Sequence, residues 1–266
     1  MRPSVAIDLN ADVGEGLDDG ELLSWVTSAN IACGFHAGDP TTMDETVALA
    51  LARGVRVGAH PGYADREHFG RVPVDMPADA IENLVLYQVA ALAGFVRSRG
   101  SGLCHVKPHG ALYHRAGEFP DVARAIAEGV RRANPGLILV GAAGSMLLEA
   151  GRDAGLPVAA EGFADRRYQP DGSLVPRSEP NALLTDPEEA AGQALSLARD
   201  GSVTAADGSR ISIRVDTICL HGDTPGASAI ARRVVEHLRQ EGIRIAPLEP
   251  RTTGGGAGAA IPIVLS

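Results

Sequence analysis

One pattern constrains this chain more than any other. Short apolar runs recur along it, each followed by Gly, Pro, His or Asp and then by a stretch of helical periodicity. A strand buried on both faces reads as an apolar run, and a crossover helix must follow if the next strand is to lie parallel. The repetition therefore predicts βα units around a parallel sheet. Strands are expected at 5–9, 29–35, 56–59, 103–106, 137–141, 157–160, 216–220 and 243–247. Helices are expected near 41–53, 78–99, 119–133, 144–154, 187–199 and 226–240. Asp186-Pro187-Glu188-Glu189 reads as an N-cap, an N1 proline and an acidic first turn, and Asp39-Pro40 can do the same. Seven or eight such strands predict a (β/α) TIM-like barrel, complete or deformed, over residues 1–250, with an open doubly wound sheet as the alternative. Two segments interrupt the alternation: a long polar loop over 162–185, and 201–215, where Asp207-Gly208 between β-prone runs marks a hairpin. The Gly-rich stretch 251–266 reads as a flexible tail.

The polar residues gather just past the strand ends, where α/β proteins build active sites. The first strand leads into Asp8, Asn10 and Asp12, three polar groups on one side of an extended segment, and then Glu15. Their burial in a dry core would be costly, so they are expected to point into a barrel mouth. Later strand ends deliver His36 and Asp39, His60, Lys107 and His109, Glu161 with Asp165 and Arg166, and His221 with Asp223. Each has a plainer alternative. A strand-end histidine is commonly structural, Asp39 and Asp223 can cap helices, and Asp165 with Arg166 can be a loop ion pair. Four strand-end histidines together argue for a polar site.

Composition sharpens this. Among 24 basic residues Lys107 is the only lysine, which points either to a need for a compact ammonium there or to chance in an arginine-biased chain. A net charge of −9 argues against nucleic acid as partner. No unbroken apolar run of membrane-spanning length occurs, and the N-terminus lacks the apolar core of a secretory signal. Cys33, Cys104 and Cys219 are odd in number and far apart, which suits reduced thiols in a cytoplasmic protein. They form no Cys-x-x-Cys zinc pair. There is no Walker A loop, and the Gly254-x-Gly256 letters follow no strand. Acid–base or hydrolytic chemistry remains.

These segments also carry a resemblance. Residues 7–12 (IDLNAD), 28–39 (SANIACGFHAGD), 105–113 (HVKPHGALY), 163–166 (FADR), 171–177 (DGSLVPR) and 220–223 (LHGD) resemble the LamB/YcsF family, in order and over about 1–248. One departure is His114, where the family usually has asparagine. The resemblance implies a deformed β/α barrel, similar to glycoside hydrolase/deacetylase barrels. It also implies cleavage of 5-oxo-L-proline to L-glutamate coupled to ATP hydrolysis, as the A subunit of a complex with B and C subunits. ATP would then be a co-substrate handled with those partners. On this expectation Asp12, His60 and His109 activate water, with Asp8 and Asn10 beside them. Lys107 and Arg166 stabilise developing negative charge, and His36, Asp39, Glu15, Glu161, Asp165, His221 and Asp223 hold substrate. Two other readings use the same residues. One is a stand-alone deacetylase or amidohydrolase with a divalent metal on Asp12, His60 and His109. The other is a non-catalytic subunit that holds a small acid.

Overall fold

The computed structural model describes residues 6–249. Strand β1 (Ala6–Val13) is followed by β2 (Ser28–Ala32), α1 (Pro40–Ala52), β3 (Arg56–His60), α2 (Ala78–Ser98) and β4 (His105–Val106). Next come α3 (Gly110–Glu118), α4 (Pro120–Ala133), β5 (Ile138–Ala142), α5 (Met146–Asp153) and β6 (Val158–Phe163). The chain then forms α6 (Pro187–Asp200), the hairpin β7 (Ser202–Thr204) and β8 (Arg210–Ser212), β9 (Thr217–His221), α7 (Ala227–Gln240) and β10 (Arg244–Ile245).

Strands β1 to β6 and β9 pair in parallel, and β9 closes on β1, so seven strands make the barrel. β10 pairs only with Ala6 and Ile7 at the foot of β1, below the β9 contact. The eighth strand is a stub that shares an edge with the seventh, which is the deformation. Leu9, Ala11, Val13, Ala29, Ile31, Val57, Ala59 and Val106 are buried, as expected for strands packed on both faces. Helix α2 is long and apolar enough to cross a bilayer, with a mean hydropathy of 1.3 over its most apolar stretch. Yet its Ile81, Val85, Val89, Leu92 and Val96 are buried, chiefly against α4.

Capping explains several helix starts. Asp186 accepts from the Glu188 and Glu189 N–H groups, with Pro187 at the first helical position. Asp39 does the same for Thr42 ahead of Pro40. The 201–215 hairpin forms with Gly208 in the left-handed region its turn needs.

Several expectations need correction. β1 runs four residues beyond the expected 5–9, because Asn10 and Asp12 are strand residues with inward partners. Helix α3 was not expected; its start, Pro108-His109-Gly110, is written in turn residues. Gly110 has a φ of 53°, and a Cβ there would meet the Gly70 carbonyl oxygen at 2.6 Å. Loop 162–185 is ordered by bridges between Arg166 and Leu183 and between Tyr168 and Leu174. The expected tail at 251–266 lies outside the described residues.

Candidate functional site

Side chains from five strand ends surround a cavity of about 370 Å³ at the C-terminal face of the barrel. Its lining includes Asp12, Glu15, His60, Lys107, His109, Arg166, His221 and Asp223. A wider cavity, about 470 Å³, opens at the opposite end beside Asp8, Arg152 and Arg244. That end carries no cluster of imidazoles among the described residues.

The strand pleat sorts the β1 carboxylates by depth. Asp8 sits at the bottom and accepts from the hydroxyls of Thr27, Ser28 and Thr217. It does not reach the mouth as expected, since alternate residues on a tilted strand climb the barrel in separate layers. Asn10 is one layer up, giving its amide N–H groups to Glu161 and Thr217. Asp12 reaches the mouth. Its Oδ1 accepts from Asn30 at 2.8 Å and from Lys107 at 2.9 Å.

Lys107 is 3 % exposed and lies 2.9 Å from both Asp12 and Glu161. Burial alone would strip its proton, but the charge of Asp12, joined by Cys219 and Glu161, holds it well above its ordinary value. Against its own burial, Asp12 is held well below the usual carboxylate range by His60 and Lys107. The site therefore keeps one ammonium between two carboxylates, Asp12 and Glu161, in a dry environment. Tyr113 donates its hydroxyl to Glu161 at 2.7 Å, so Glu161 braces Lys107 from behind.

Imidazoles form the other wall. His60 Nδ1 lies 2.7 Å from the Lys107 carbonyl, and His109 Nε2 lies 2.8 Å from the Phe69 carbonyl. Their remaining nitrogens, His60 Nε2 and His109 Nδ1, face each other at 3.0 Å. His36 stacks flat on His109 at 3.8 Å and reaches Glu15 at 3.1 Å. It stands behind the wall. Burial pushes Glu15 up to about 7 and His36 down to about 2. Burial also lowers His109, while Asp12 overrides burial at His60 and raises it.

A carboxylate–imidazole pair stands opposite. Asp165 accepts from His221 Nδ1 at 3.0 Å and from the Thr224 hydroxyl at 2.7 Å. That contact turns His221 Nε2 into the lone-pair nitrogen. The plainer reading of Asp165 with Arg166 as a loop ion pair fails. Arg166 instead donates to the Val175 carbonyl, and its buried Nε has no partner among the described residues.

Asp39 lies outside this cavity; it caps α1. Asp223 caps nothing and is bound by Arg71 at 2.5 Å and Arg177 at 3.4 Å, which hold it below the ordinary range despite its burial. Arg71, Arg177, Tyr113 and His114 line the cavity and were not among the candidates. Arg177 was visible in the DGSLVPR motif but sits in a polar loop, where arginine is unremarkable. Arg71 follows a turn after the third strand and carried no signal. His114, the departure from the family pattern, stands at the rim.

The arrangement juxtaposes a protected base region with a cationic rim. Arg71 and Arg177 share one carboxylate, Asp223, while Arg166 lines the same cavity and donates to a backbone carbonyl, so positive charge remains for an anionic ligand.

The LamB/YcsF family profile matches residues 7–253. The chain is 57 % identical over 248 residues to a protein of Methylococcus capsulatus that carries the name of the 5-oxoprolinase A subunit, covering 91 % of this chain and 95 % of that protein. A protein of the same name from Pyrococcus furiosus is 47 % identical, covering 91 % and 97 %. The crystal structure of a lactam utilization protein from Thermus thermophilus superposes with a TM-score of 0.87 at 45 % identity, covering 91 % of this chain and all of that one. A peptidoglycan deacetylase domain from Eubacterium rectale shares the barrel at a TM-score of 0.53 and 11 % identity, over 99 % and 96 % of the two chains.

Proposed function

The chain belongs to the LamB/YcsF family, and from that premise we propose that it opens the ring of 5-oxo-L-proline to give L-glutamate. In this reading it is the A subunit of a three-component, ATP-coupled 5-oxoprolinase, working in the cytosol with B and C subunits. The relatives' names support the substrate and the existence of further subunits. The observation that carries the reading is the pocket itself: a buried Lys107–Asp12 pair beside His60 and His109, facing a rim of three arginines.

A lactam carbonyl is a poor electrophile, so coupling to ATP serves as activation. Transfer of the terminal phosphoryl group to the lactam oxygen would make the ring carbon reactive. This chain has no phosphate-binding loop in its sequence, which is why ATP handling is assigned to the assembly. Water then adds to the ring carbon, giving its proton to Asp12, beside His60 and His109. The C–N bond breaks, its electron pair stays on nitrogen, and the proton taken from water is relayed to that nitrogen through His221 Nε2, whose lone pair Asp165 orients. This leaves an acyl phosphate, which a second water hydrolyses to glutamate and phosphate. Lys107 faces the charge that develops on oxygen, in a dry site where such contacts count most. Arg71, Arg166 and Arg177 suit the substrate carboxylate and the phosphoryl oxygens.

The test is glutamate release from 5-oxoproline and ATP by the purified chain, with and without the B and C subunits. Activity only in the mixture, matched by ADP, is the expected result. No glutamate from a folded, associated complex would overturn the reading.

A further inference from the structure

We propose that the imidazole wall of this pocket is a binding site for one divalent transition-metal ion, held by His60 Nε2, His109 Nδ1 and Glu15 Oε1. The argument begins with two lone pairs. A backbone carbonyl can only accept. The Lys107 carbonyl therefore fixes the proton of His60 on Nδ1, and the Phe69 carbonyl fixes that of His109 on Nε2. In the neutral rings this leaves His60 Nε2 and His109 Nδ1 as acceptors pointed at each other across 3.0 Å. Two acceptors at that distance need a proton or a metal ion between them, and the Glu15 carboxylate beside both supplies a third ligand that a metal ion uses and a proton does not. Backbone carbonyls behind ligating imidazoles are a recurring way of presenting them to a metal.

The spacing agrees. With metal–ligand bonds of about 2.1 Å, neighbouring ligands lie about 3.0 Å apart in an octahedron and about 3.4 Å apart in a tetrahedron. The observed separations are 3.0 Å between the two imidazole nitrogens and 3.4 Å from His109 Nδ1 to Glu15. Glu15 to His60 is slightly wider at 3.8 Å. His36 is a positioning residue: its Nε2 lies 3.1 Å from Glu15 Oε1 and holds that carboxylate toward the pair. Space behind it is closed, since a Cβ on Gly62 would come within 2.7 Å of His36 Nδ1.

A second convergence of Asp12, Cys219 and His221 exists, but the Lys107 ammonium already fills it, 3.0 Å from Cys219 Sγ and 2.9 Å from Asp12. Two imidazole nitrogens and a carboxylate oxygen select a borderline ion such as zinc, cobalt or nickel over magnesium or calcium. Such an ion would supply Lewis acidity at that wall of the pocket.

The test uses the chain alone, without substrate or partner proteins, so its outcome is separate from that of the lactam reading. Chelator-stripped protein is dialysed against Zn²⁺ and analysed for bound metal, with melting followed in parallel. The expected result is one ion per chain and a melting temperature raised by several degrees. Binding should fall at least tenfold in His109→Asn and in Glu15→Gln, and stay unchanged in His68→Asn, whose imidazole is on the surface. Should those variants fail to fold, Cu²⁺ bound to the wild-type chain decides: its electron paramagnetic resonance should show two imidazole nitrogens. A folded wild-type chain that takes up no stoichiometric zinc would overturn the proposal. So would full zinc binding in both site variants, or copper without nitrogen ligands.

Discussion

Replacing Lys107 with methionine removes the ammonium from between Asp12 and Glu161, each 2.9 Å away, while keeping most of the side-chain volume. Two buried carboxylates then remain without their shared cation. Breaking a buried ion pair by deleting one partner costs about 3–5 kcal/mol, because the survivor stays desolvated. Asp12 retains the Asn30 amide and Glu161 retains Asn10 and Tyr113, which places Lys107→Met at about 3 kcal/mol, the lower end of that range. For a barrel of this size that is a fall of about 6–12 °C in melting temperature. Adding Glu161→Gln removes one orphaned charge and preserves an acceptor for Tyr113. The double variant Lys107→Met/Glu161→Gln should therefore be more stable than Lys107→Met alone, a coupling that independent sites would not show. Urea unfolding at neutral pH of the wild type, both singles and the double completes the cycle. A loss below about 1 kcal/mol for Lys107→Met, the range of an exposed pair, would refute the reasoning. So would a double variant less stable than Lys107→Met.

Gly58 faces the barrel interior, where a Cβ would lie 2.1 Å from His105 Nε2; Gly58→Ala should cost about 3 kcal/mol or leave the chain insoluble. Gly94→Ala in α2 meets nothing within 4 Å and should instead raise stability by about 0.5–1 kcal/mol, both read by urea unfolding. His105 is buried and held down to about 3 by desolvation and the nearby Lys107 and His60 charges; its Nε2 lies 2.7 Å from Asn30 Oδ1, and its Nδ1 is unpartnered among the described residues. A histidine depressed on folding contributes stability above about pH 6.5, which is lost as pH falls toward 3, so His105→Gln should flatten that limb of the stability–pH curve. Arg177→Met should raise KM for 5-oxoproline about tenfold or more with a smaller change in kcat, as loss of ground-state binding does.

The barrel was legible because two-sided strand burial leaves an apolar run and each helix needs a cap. Asp186-Pro187 and Asp39-Pro40 worked as read. Helix α3 was hidden because its first residues are proline, histidine and glycine, chosen by the crowding against Gly70 rather than by helix propensity. At the site, Asp12, His60, Lys107, His109 and His221 were placed together by strand-end position alone. Asp8 and Asn10 share their periodicity with Asp12, but period two says which face a residue points to, not how far up the barrel it sits. Asp39 illustrates the limit of a motif: His-x-Gly-Asp and His-Gly-Asp look alike, yet one aspartate caps a helix and the other meets two arginines. Arg71 joins the rim through a contact with Asp223, 152 residues away, which no local pattern encodes.

The central claim is that the strand-end pocket of this chain performs the ring opening. Its most direct test is glutamate release from 5-oxoproline and ATP by the assembled three-component complex carrying Asp12→Asn, with folding and association verified. The account predicts a fall of about 10²–10⁴-fold, the usual contribution of a positioned acid–base group. Wild-type turnover in that complex would contradict it.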